Sequence, residues 1–418
     1  MAAGSPSDVI VVGGGVAGLA CAHYLAQTGR TVRVLEQGTV GTGASYGNCG
    51  LVFVSDIVPL CVPGAVRKEI FAMLRRNSPL YIQPTLDPAR IAWLLRFAGM
   101  CRADFLPHAM RARAAILKSS ALLFEELVQR RAIEAEYEQK GVLLVFRTEA
   151  AMRGYEWVNT QLEPYGLAAE ALAGKALSAV EPALRPDVYG AWHHRADRHL
   201  RPDRLLESWK RSLTAAGVAI EEDCKLTAFR VAGDRIVAAA TAKGERSAEH
   251  YVLAAGAWSA AIARQIRVKL PVQPGKGYSL TMGRPAVCPQ IPCYLYERRV
   301  VATPWPSGYR LGGTMEFSGM SFSLDARRLG ALKTAAAEYL RDPLGHPVAE
   351  EWAGLRPMTF DDLPVIGRVP RWRNLLLATG HGMLGITTAP ATGRLVAELI
   401  CGRAPHIDPA PFAVGRFR

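Results

Sequence analysis

The chain has 418 residues, of which 50% are hydrophobic, and its formal net charge is +13 at pH 7. That length can bury two substantial domain cores, and no stretch approaches the ~20 consecutive apolar residues of a membrane-spanning helix. The N-terminus lacks a charged segment followed by an apolar core, so no secretory signal is predicted and we expect the protein inside the cell.

Disulfides, a zinc site and nucleic-acid binding are not expected from the sequence pattern. The eight cysteines are scattered with no CxxC spacing, which indicates reduced thiols rather than a disulfide framework or a zinc site. The closest pair, Cys288 and Cys293, lies beside prolines and is interpreted as a chance pair. No platform of aromatic and basic residues is present, so nucleic-acid binding is not expected.

A glycine-rich turn near the N-terminus is the most informative motif. A continuous apolar strand pattern begins at Asp8, turns on glycines and continues as an Ala/Leu-rich helix to Gln27. Gly13 permits the turn, Gly15 lets the backbone approach a pyrophosphate, and Gly18 lets the helix lie close to the strand. The helix N-terminus would then present free N–H groups and a positive dipole to the phosphates.

A second strand pattern, residues 31–35, follows this helix and ends at Glu36. An acidic residue at this spacing can reach a ribose hydroxyl. The motif therefore predicts a dinucleotide site, and the alternative is a βαβ unit whose loop binds nothing. The polar glycine-rich segment 41–50 comes next and could supply N–H groups and hydroxyls to the same ligand.

Residues 51–199 show several helical patterns and some extended segments, such as 141–147. Within them, Arg67 to Arg113 contains nine Arg or Lys and three acidic residues. The stretch encloses the apolar segment 91–100, which is too short to span a bilayer. Such a helix can lie on an anionic membrane surface, or it can be a cap helix with a packed apolar side and solvated arginines.

The pattern changes near Leu200. A helix is predicted from Pro202 to Ala216, and short strands follow at 219–222, 227–232 and 235–241. A second apolar strand then begins at Tyr251 and runs into small residues that end at Ser259. We expect it to be another parallel strand that delivers backbone to the same ligand.

Residues 270–350 are again strand-rich, and a third apolar strand is predicted at 374–379. It ends in the glycine-rich segment 380–385, before a final helix predicted at about 389–401. Three strand-to-glycine junctions, at the beginning, middle and end, imply one nucleotide domain assembled from separate segments. The regions between them would form a cap that holds substrate.

Five motifs, which span nearly the whole chain, give it a family resemblance. They are GGGVAGLACAHYLA with Glu36, the GASYGNCG loop, PxKGYS at 274–279, WAGLRPMTFDDLP at 352–364 and ATGHGMLGITTAPATGRLVAELI at 378–400. The sequence resembles the flavin-dependent amine oxidoreductases of the D-amino-acid oxidase and glycine oxidase superfamily, and within it the bacterial D-amino-acid dehydrogenases. The resemblance implies an α/β fold with an α+β cap. The FAD-binding domain would be Rossmann-like and discontinuous (1–60, 200–269 and 351–418), and the strand-rich substrate-binding domain would comprise 61–199 and 270–350.

The resemblance also implies roles for individual residues. Arg356 of the GLRP motif would bind the substrate carboxylate, Tyr278 would border the same pocket, and His381 would lie in the loop that faces the flavin. The alternatives are a surface salt bridge for Arg356, packing for Tyr278 and a loop-stabilising role for His381. The residues expected to bind FAD are Gly13, Gly15, Val16, Ala17, Gly18, Glu36, Gln37, Thr42, Ala44, Ser45, Asn48, Cys49, Gly50, Leu51, Ala255, Gly256, Trp258, Gly380, Gly382, Met383, Leu384, Gly385, Ile386 and Thr387. Because the GLRP segment carries no cysteine, the FAD is expected to be noncovalent, and no metal is expected.

The reaction implied is oxidation of a D-amino acid to an imino acid, with hydride passing from Cα to flavin N5. A fork of hydrogen bonds from Arg356 would hold the carboxylate, and the helix after Gly385 could present its positive end to the flavin. Neutral substrates are expected, including the cyclic amines D-proline and 4-hydroxy-D-proline, whose rings Phe53, Tyr278 and Tyr296 could enclose. The electron acceptor is either oxygen or a membrane quinone, and the basic stretch favours the quinone.

Some other interpretations stay open at this point. A glycine or sarcosine oxidase that uses oxygen is one alternative, and a noncatalytic protein of the GDP-dissociation-inhibitor type is another. His193, His194 and His199 lack the spacing of a metal site and are interpreted as solvated loop residues. Asp361 and Asp362 are interpreted as a capped turn before Pro364.

Overall fold

A computed structural model describes residues 7–67 and 79–417. Its helices are α1 (Val16–Ala26), α2 (Pro88–Met100), α3 (Leu106–Gln129), α4 (Glu149–Leu162), α5 (Gly174–Val180), α6 (Pro202–Ala215), α7 (Ser259–Gln265), α8 (Ala326–Ala337) and α9 (Gly385–Ile400). The strands are β1 (Ser7–Val12), β2 (Val32–Leu35), β3 (Leu51–Val52), β4 (Leu80–Ile82), β5 (Val142–Phe146), β6 (Glu170–Ala173), β7 (Gly190–His194), β8 (Arg198–His199), β9 (Ala219–Glu221), β10 (Leu226–Ala232), β11 (Arg235–Thr241), β12 (Gly244–Arg246), β13 (Ala248–Leu253), β14 (Val272–Met282), β15 (Cys293–Leu295), β16 (Val300–Trp305), β17 (Gly308–Phe317), β18 (Val348–Thr359), β19 (Val365–Val369) and β20 (Trp372–Thr379).

A six-stranded sheet, in the order β19-β20-β13-β1-β2-β9, forms the centre of the nucleotide-binding part. The strands β20, β13, β1, β2 and β9 run parallel to their neighbours, and β19 is antiparallel to β20. The apolar residues of β1 are buried because both faces of the sheet are covered: helices pack on one face, and the three-stranded sheet β10-β11-β12 packs with α7 on the other. The carboxyl ends of β1, β13 and β20, where all three predicted glycine junctions occur, therefore lie side by side.

Helices from distant parts of the chain pack together on this sheet. α1 contacts α9 so closely that a Cβ at Gly393 would lie 2.4 Å from the carbonyl oxygen of Ala20. On its other side α9 packs against α3, where the backbone N–H of Ala391 donates to the Ser120 hydroxyl at 3.0 Å. The core therefore contains α1, α3 and α9, which come from separate parts of the chain.

A nine-stranded mixed sheet forms the second layer. Its main path is β18-β14-β17-β16-β15-β5-β7-β6, and β4 pairs with β17. β14 lies between β17 and β18, which brings the PxKGYS and GLRP motifs onto adjacent strands. The α/β fold class with a Rossmann-like FAD-binding part is confirmed, although the domain boundary predicted at residue 351 falls within β18 of this sheet.

The last helix begins earlier than the sequence pattern suggested. α9 starts at Gly385 rather than near Ala389, and Pro390 lies inside it. Proline is favoured in the first turn of a helix, whereas Pro390 lies in the second turn of α9. The earlier start brings the helix N-terminus to the glycine-rich loop.

All eight cysteines are free thiols. Among the helices of the described residues, none combines the length and the apolar character needed to cross a bilayer.

Candidate active site

A cavity of about 2260 Å³ is lined by residues of both large sheets. It exceeds the roughly 300–1,000 Å³ of common ligand pockets. The sequence-predicted residues that line it are Gly13, Gly15, Val16, Ala17, Glu36, Gln37, Thr42, Ala44, Ser45, Asn48, Cys49, Leu51, Ala255, Gly256, Trp258, Tyr278, Arg356, His381, Gly382, Met383, Leu384, Gly385 and Ile386. The structure therefore brings together residues that are far apart in the sequence.

Gly18, Gly50, Gly380 and Thr387 do not line the cavity. A Cβ at Gly18 would lie 1.9 Å from the Gly13 carbonyl oxygen, so this glycine permits the close contact of α1 with the turn. Gly50 has a φ of +75° and approaches the Leu200 carbonyl in the same way. The Thr387 hydroxyl donates to the Leu51 carbonyl at 3.0 Å. Gly18, Gly50 and Thr387 thus make contacts that hold the segments lining the cavity in place.

The glycine turn between β1 and α1 has the geometry of a phosphate-binding loop. Gly13 has a φ of +111°, which only glycine adopts readily. Gly15 is the N-cap of α1, which has no side-chain cap and no acidic residue in its first turn. Gly15, Val16 and Ala17 line the cavity, so the positive end of α1 faces it with no acidic residue in the first turn of the helix.

Glu36 lies at the end of β2 and at the edge of the same cavity. Its carboxylate accepts hydrogen bonds from the backbone N–H groups of Gly14 at 2.7 Å and Gly38 at 3.1 Å. These bonds fix the carboxylate beside the glycine turn, and each oxygen retains a lone pair for a ligand hydroxyl.

The loop of residues 42–50 is held by an arginine that sequence analysis missed. Arg310 on β17 is buried, and its guanidinium donates to the carbonyls of Tyr46 at 2.8 Å and Asn48 at 2.7 Å. A buried arginine satisfied by loop carbonyls rigidifies the loop. The signal that could have found it was an arginine within the apolar β17 sequence.

The glycine-rich loop before α9 forms another wall. His381 is 7% exposed, and one of its ring nitrogens, Nε2, lies 3.0 Å from the Thr392 hydroxyl. Burial lowers the pKa of His381 to about 4, so this ring is neutral near pH 7. α9 starts at Gly385 with no acidic residue in its first turn, and its positive end also meets the cavity.

Arg356 projects from β18 into the cavity and is isolated from carboxylates. Its Nη1 donates to the Thr314 carbonyl at 2.8 Å, and no ion pair with a described carboxylate is found for it. Burial lowers the pKa of its guanidinium, although the group stays cationic. The surface salt bridge considered from sequence is therefore not formed with any described residue, and the remaining N–H groups can bind a carboxylate ligand.

The carbonyl that holds Arg356 belongs to a strained residue. Thr314 has a φ of +66°, which is a genuine outlier for a β-branched residue. It lies where the pairing of β14 with β17 shifts register, between the pairs Lys276 with Glu316 and Tyr278 with Gly313. Such a bulge turns a backbone group out of the ladder, and here it turns the carbonyl toward Arg356.

Gly277 leaves the space that the Arg356 guanidinium fills. A Cβ at this position would lie 2.2 Å from Nη1 and 2.3 Å from Nη2 of Arg356. We expect Gly277→Ala to push the guanidinium away from its present position, because a flexible side chain moves more easily than a paired strand. The Michaelis constant for the amino acid should rise roughly tenfold or more, whereas FAD content should be unchanged.

Gly330→Ala is the matched control for this prediction. Gly330 lies on α8, and a Cβ at this position would have no neighbouring atom within 4 Å. Alanine is also favourable in a helix. Equal Michaelis constants for Gly277→Ala and the wild type would contradict the positioning role of Gly277.

Tyrosines form the wall next to Arg356. Tyr278 is 2% exposed, and its hydroxyl donates to Glu316 at 3.2 Å. Burial, reinforced by Glu316, raises the pKa of Tyr278. Tyr294 and Tyr296 also line the cavity, with ring centroids 6.2 Å apart.

The wall continues from Tyr296 to Tyr155, whose ring centroids are 5.6 Å apart. Tyr155 and Phe53 both line the cavity. Phe53 and Tyr296 were expected here from the sequence, whereas Tyr155 and Tyr294 were missed because neither belongs to a motif. This part of the pocket wall thus carries five aromatic side chains, namely Phe53, Tyr155, Tyr278, Tyr294 and Tyr296.

The three histidines interpreted as solvated loop residues are buried, and that interpretation is wrong. His193 and His194 lie on β7 and His199 on β8, with exposures of 4%, 1% and 0%. Their polarity suggested a loop, but Nε2 of His194 pairs with the Tyr155 hydroxyl at 3.0 Å. No cluster of described residues could hold a metal ion.

A buried group of carboxylates borders the cavity on another side. Arg113 of α3 contacts both Asp56 at 3.2 Å and Asp362 at 2.7 Å, so Asp362 is part of an ion-pair network as well as a turn. Burial raises the pKa of Asp56 to about 6 although Arg113 lowers it. Burial also raises the pKa of Asp197 to about 7, because hydrogen bonds from Ser55 only partly compensate.

The raised pKa of Asp197 predicts a specific pH dependence of stability. In the unfolded chain the group titrates near its ordinary pKa of 3.8. Between about pH 4 and pH 7 the folded state binds the extra proton, so the unfolding free energy should fall as the pH rises. We expect the wild type to lose stability relative to Asp197→Asn by up to about 1.4 kcal/mol per pH unit in this window.

Chemical denaturation of both proteins from pH 4 to pH 8 measures this difference. Asp104→Asn changes a carboxylate that is 71% exposed, and this control should follow the wild-type curve. Parallel curves for the wild type and Asp197→Asn would show that Asp197 does not titrate in this window.

The residues of the cavity fit FAD. Two helix N-termini without acidic residues meet it, which suits a pyrophosphate and an electron-rich ring. Glu36 offers an acceptor for ribose hydroxyls, and the volume of about 2260 Å³ leaves room for a second ligand. Cys49 lines the cavity, but burial raises the pKa of its thiol, so the nucleophilic thiolate is disfavoured.

Comparisons with known proteins agree with this geometry. A family model described as FAD dependent oxidoreductase (DAO) matches residues 8–399. The D-amino acid dehydrogenase of Granulibacter bethesdensis is 32% identical over 98% of this chain and 99% of its own length. The D-amino acid dehydrogenase of Methylobacterium radiotolerans is 33% identical with the same coverage.

Solved structures support the fold. The glycine oxidase of Geobacillus kaustophilus superimposes with a TM-score of 0.79 at 24% identity and covers 98% of each chain. The L-proline dehydrogenase of P. horikoshii has a TM-score of 0.72 at 19% identity and covers 99% of this chain and 98% of its own.

Proposed function

The chain belongs to the family of FAD-dependent oxidoreductases, and from that premise we propose that it is a dehydrogenase of neutral or cyclic D-amino acids such as D-proline and 4-hydroxy-D-proline. It is an FAD-dependent amino acid dehydrogenase or oxidase, so the noncatalytic alternative does not apply. The observation that carries the proposal is the partly buried Arg356, which faces a pocket wall with several aromatic side chains.

Arg356 would hold the substrate carboxylate. With Nη1 engaged by Thr314, the guanidinium keeps a fixed orientation and directs its other N–H groups at the ligand. Bound FAD would supply the hydride acceptor, N5 of its ring. The role of the chain is to fix Cα relative to that ring, and positioning of this kind accounts for a large part of the rate gain.

The aromatic wall favours a neutral or ring-shaped side chain. Phe53, Tyr155, Tyr294 and Tyr296 offer apolar faces, and the negative faces of such rings attract an ammonium group. These two properties suit a cyclic secondary amine. Tyr278 would border the pocket and orient its neighbours through its bond to Glu316.

FAD would be held noncovalently by the predicted loops, and its electrons would pass to a membrane quinone. The protein would then work at the inner face of the cell membrane, with peripheral contact through residues 67–113. Residues 68–78 of that stretch lie outside the described residues. Four described arginines of the stretch, Arg67, Arg96, Arg102 and Arg111, are exposed, which supports contact with an anionic surface.

Anaerobic mixing of the yellow protein with D-amino acids tests the proposal. We expect D-proline and 4-hydroxy-D-proline to bleach the flavin absorbance fastest, neutral D-amino acids to bleach it more slowly, and L-proline to leave it unchanged. Bleaching by sarcosine or glycine alone would move the enzyme to the oxidase class. Rapid peroxide release in air would contradict the quinone acceptor.

A further inference from the structure

A polar pair interrupts the aromatic wall of the cavity, and no step of the proposed reaction uses it. Tyr155 of α4 lines the cavity and is 7% exposed, and His194 of β7 lies behind it with 1% exposure. The Tyr155 hydroxyl and Nε2 of His194 are 3.0 Å apart. A buried polar group costs free energy unless it is hydrogen-bonded, and these two groups satisfy each other. A wall that only packs against an apolar ring could be built from Phe and Leu without this pair.

The pair is held in a fixed position by the elements that carry it. His194 is paired in register with Val142 of β5. Its ring meets the Tyr155 ring edge-on, with centroids 5.8 Å apart and an interplanar angle of 88°. The indole N–H of Trp192 on β7 donates to the Met152 carbonyl of α4 at 3.2 Å. This bond ties the helix to the strand, so the Tyr155 hydroxyl has a defined place in the wall.

The pair stays neutral and can bind a hydroxyl in either direction. Burial, reinforced by Asp56, raises the pKa of Tyr155 well above its usual range, so the O–H is retained. Burial lowers the pKa of His194 to about 4, and a neutral imidazole has one N–H and one acceptor nitrogen. If Nε2 accepts from Tyr155, the tyrosine oxygen can accept from a ligand hydroxyl. If Nε2 donates to Tyr155, the tyrosine O–H is free to donate to the ligand.

A row of tyrosines connects the pair to the carboxylate anchor. The rings of Tyr155 and Tyr296 have centroids 5.6 Å apart, and those of Tyr296 and Tyr294 are 6.2 Å apart. Burial lowers the pKa of the Arg356 guanidinium, and Tyr294 is one of two nearby groups that counteract this shift electrostatically. All four side chains line one cavity. A ligand whose carboxylate is bound at Arg356 would therefore extend along this wall toward Tyr155.

We propose that the Tyr155–His194 pair hydrogen-bonds a hydroxyl carried by the substrate, and so selects hydroxylated neutral amino acids over their unhydroxylated counterparts. This inference deepens the proposed function and rests on it in one respect, namely that the substrate carboxylate is held at Arg356. Because the two side chains satisfy each other when no hydroxyl is present, D-proline leaves neither of them unpaired and is still accepted. The preference therefore amounts to one additional hydrogen bond, which is roughly three- to tenfold in affinity.

Binding of unreactive aromatic acids tests the pair without any turnover. The FAD-loaded protein is titrated with benzoate, 3-hydroxybenzoate and 4-hydroxybenzoate, and the change in flavin absorbance gives the dissociation constants. The two isomers place the hydroxyl at different distances from the carboxylate. We expect at least one of them to bind the wild type roughly three- to tenfold tighter than benzoate. Tyr155→Phe should bind all three acids alike, with the wild-type affinity for benzoate.

Two further variants complete the test. Tyr309→Phe is the matched control, because Tyr309 of β17 is fully buried away from the cavity and its hydroxyl has no partner among the described residues. This variant should keep the wild-type preference. His194→Gln replaces the positioning residue by an amide that can still bond the Tyr155 hydroxyl, so the preference should be reduced while benzoate binding is unchanged.

The outcomes separate this inference from the proposed function. Absence of a preference for either hydroxybenzoate in the wild type, failure of all three acids to bind, or a preference that survives in Tyr155→Phe would overturn it, even if D-proline bleaches the flavin. Selective loss of the preference in Tyr155→Phe would support it even if no D-amino acid bleached the flavin, and the proposed function alone would then fail. Retained flavin absorbance in each variant verifies folding.

Discussion

Replacing Arg356 with alanine is expected to weaken binding of the substrate carboxylate by about 2–4 kcal/mol, which is roughly 30- to 900-fold. The guanidinium is partly buried in the cavity wall, its Nη1 is fixed by Thr314 at 2.8 Å, and no described carboxylate competes for it. A desolvated ion pair of this kind loses more on truncation than an exposed pair does. Anaerobic titration of the flavin absorbance with D-proline measures the dissociation constant.

Two further variants serve as comparisons for Arg356→Ala. Arg356→Lys retains the charge but not the fork geometry, so it should recover only part of the affinity. Arg153→Ala removes an arginine whose side chain is 71% exposed on α4 and should bind D-proline like the wild type. If Arg356→Ala bound D-proline with wild-type affinity, the substrate carboxylate would have to be held elsewhere.

Gly13→Ala is expected to abolish FAD retention. A Cβ at Gly13 would lie 2.5 Å from the carbonyl oxygen of Ala254, and the φ of +111° is strained for alanine. Neither partner can move aside, because β1 and β13 are paired along their length. Backbone strain and overpacking each cost about 1–3 kcal/mol, so the purified variant should carry at least about tenfold less flavin per chain.

The ratio of absorbance at 450 nm to that at 280 nm, after gel filtration, measures this loss. Gly330→Ala, whose added Cβ would meet nothing within 4 Å, should retain the full flavin content. A yellow, stoichiometrically loaded Gly13→Ala protein would contradict the assignment of this turn to the cofactor.

Local sequence patterns predicted the nucleotide-binding part well. The spacing of Gly13, Gly15 and Gly18 determines a turn, a close approach and a helix contact, and each depends on residues within one βαβ unit. The parallel strands β13 and β20 were recognised because continuous apolar runs ended in small residues. Such signals are local, so they can be read without knowledge of the partners.

The substrate side depended on contacts between distant segments. Nothing near Gly277 in the sequence shows that Arg356 fills the space above it, because the register of β14 and β18 sets that contact. The network of Arg113 with Asp56 and Asp362 has the same origin. The buried histidines were misjudged because a histidine next to arginine and aspartate in sequence has the composition of a loop.

The contact between α1 and α9 has a consequence for biosynthesis. Gly393 packs on Ala20, so α1 obtains this neighbour only after almost the entire polypeptide has left the ribosome. Contacts of such long sequence separation form slowly. During synthesis the N-terminal βαβ unit therefore lacks α9 as a packing partner. We expect the flavin to bind after translation rather than during it.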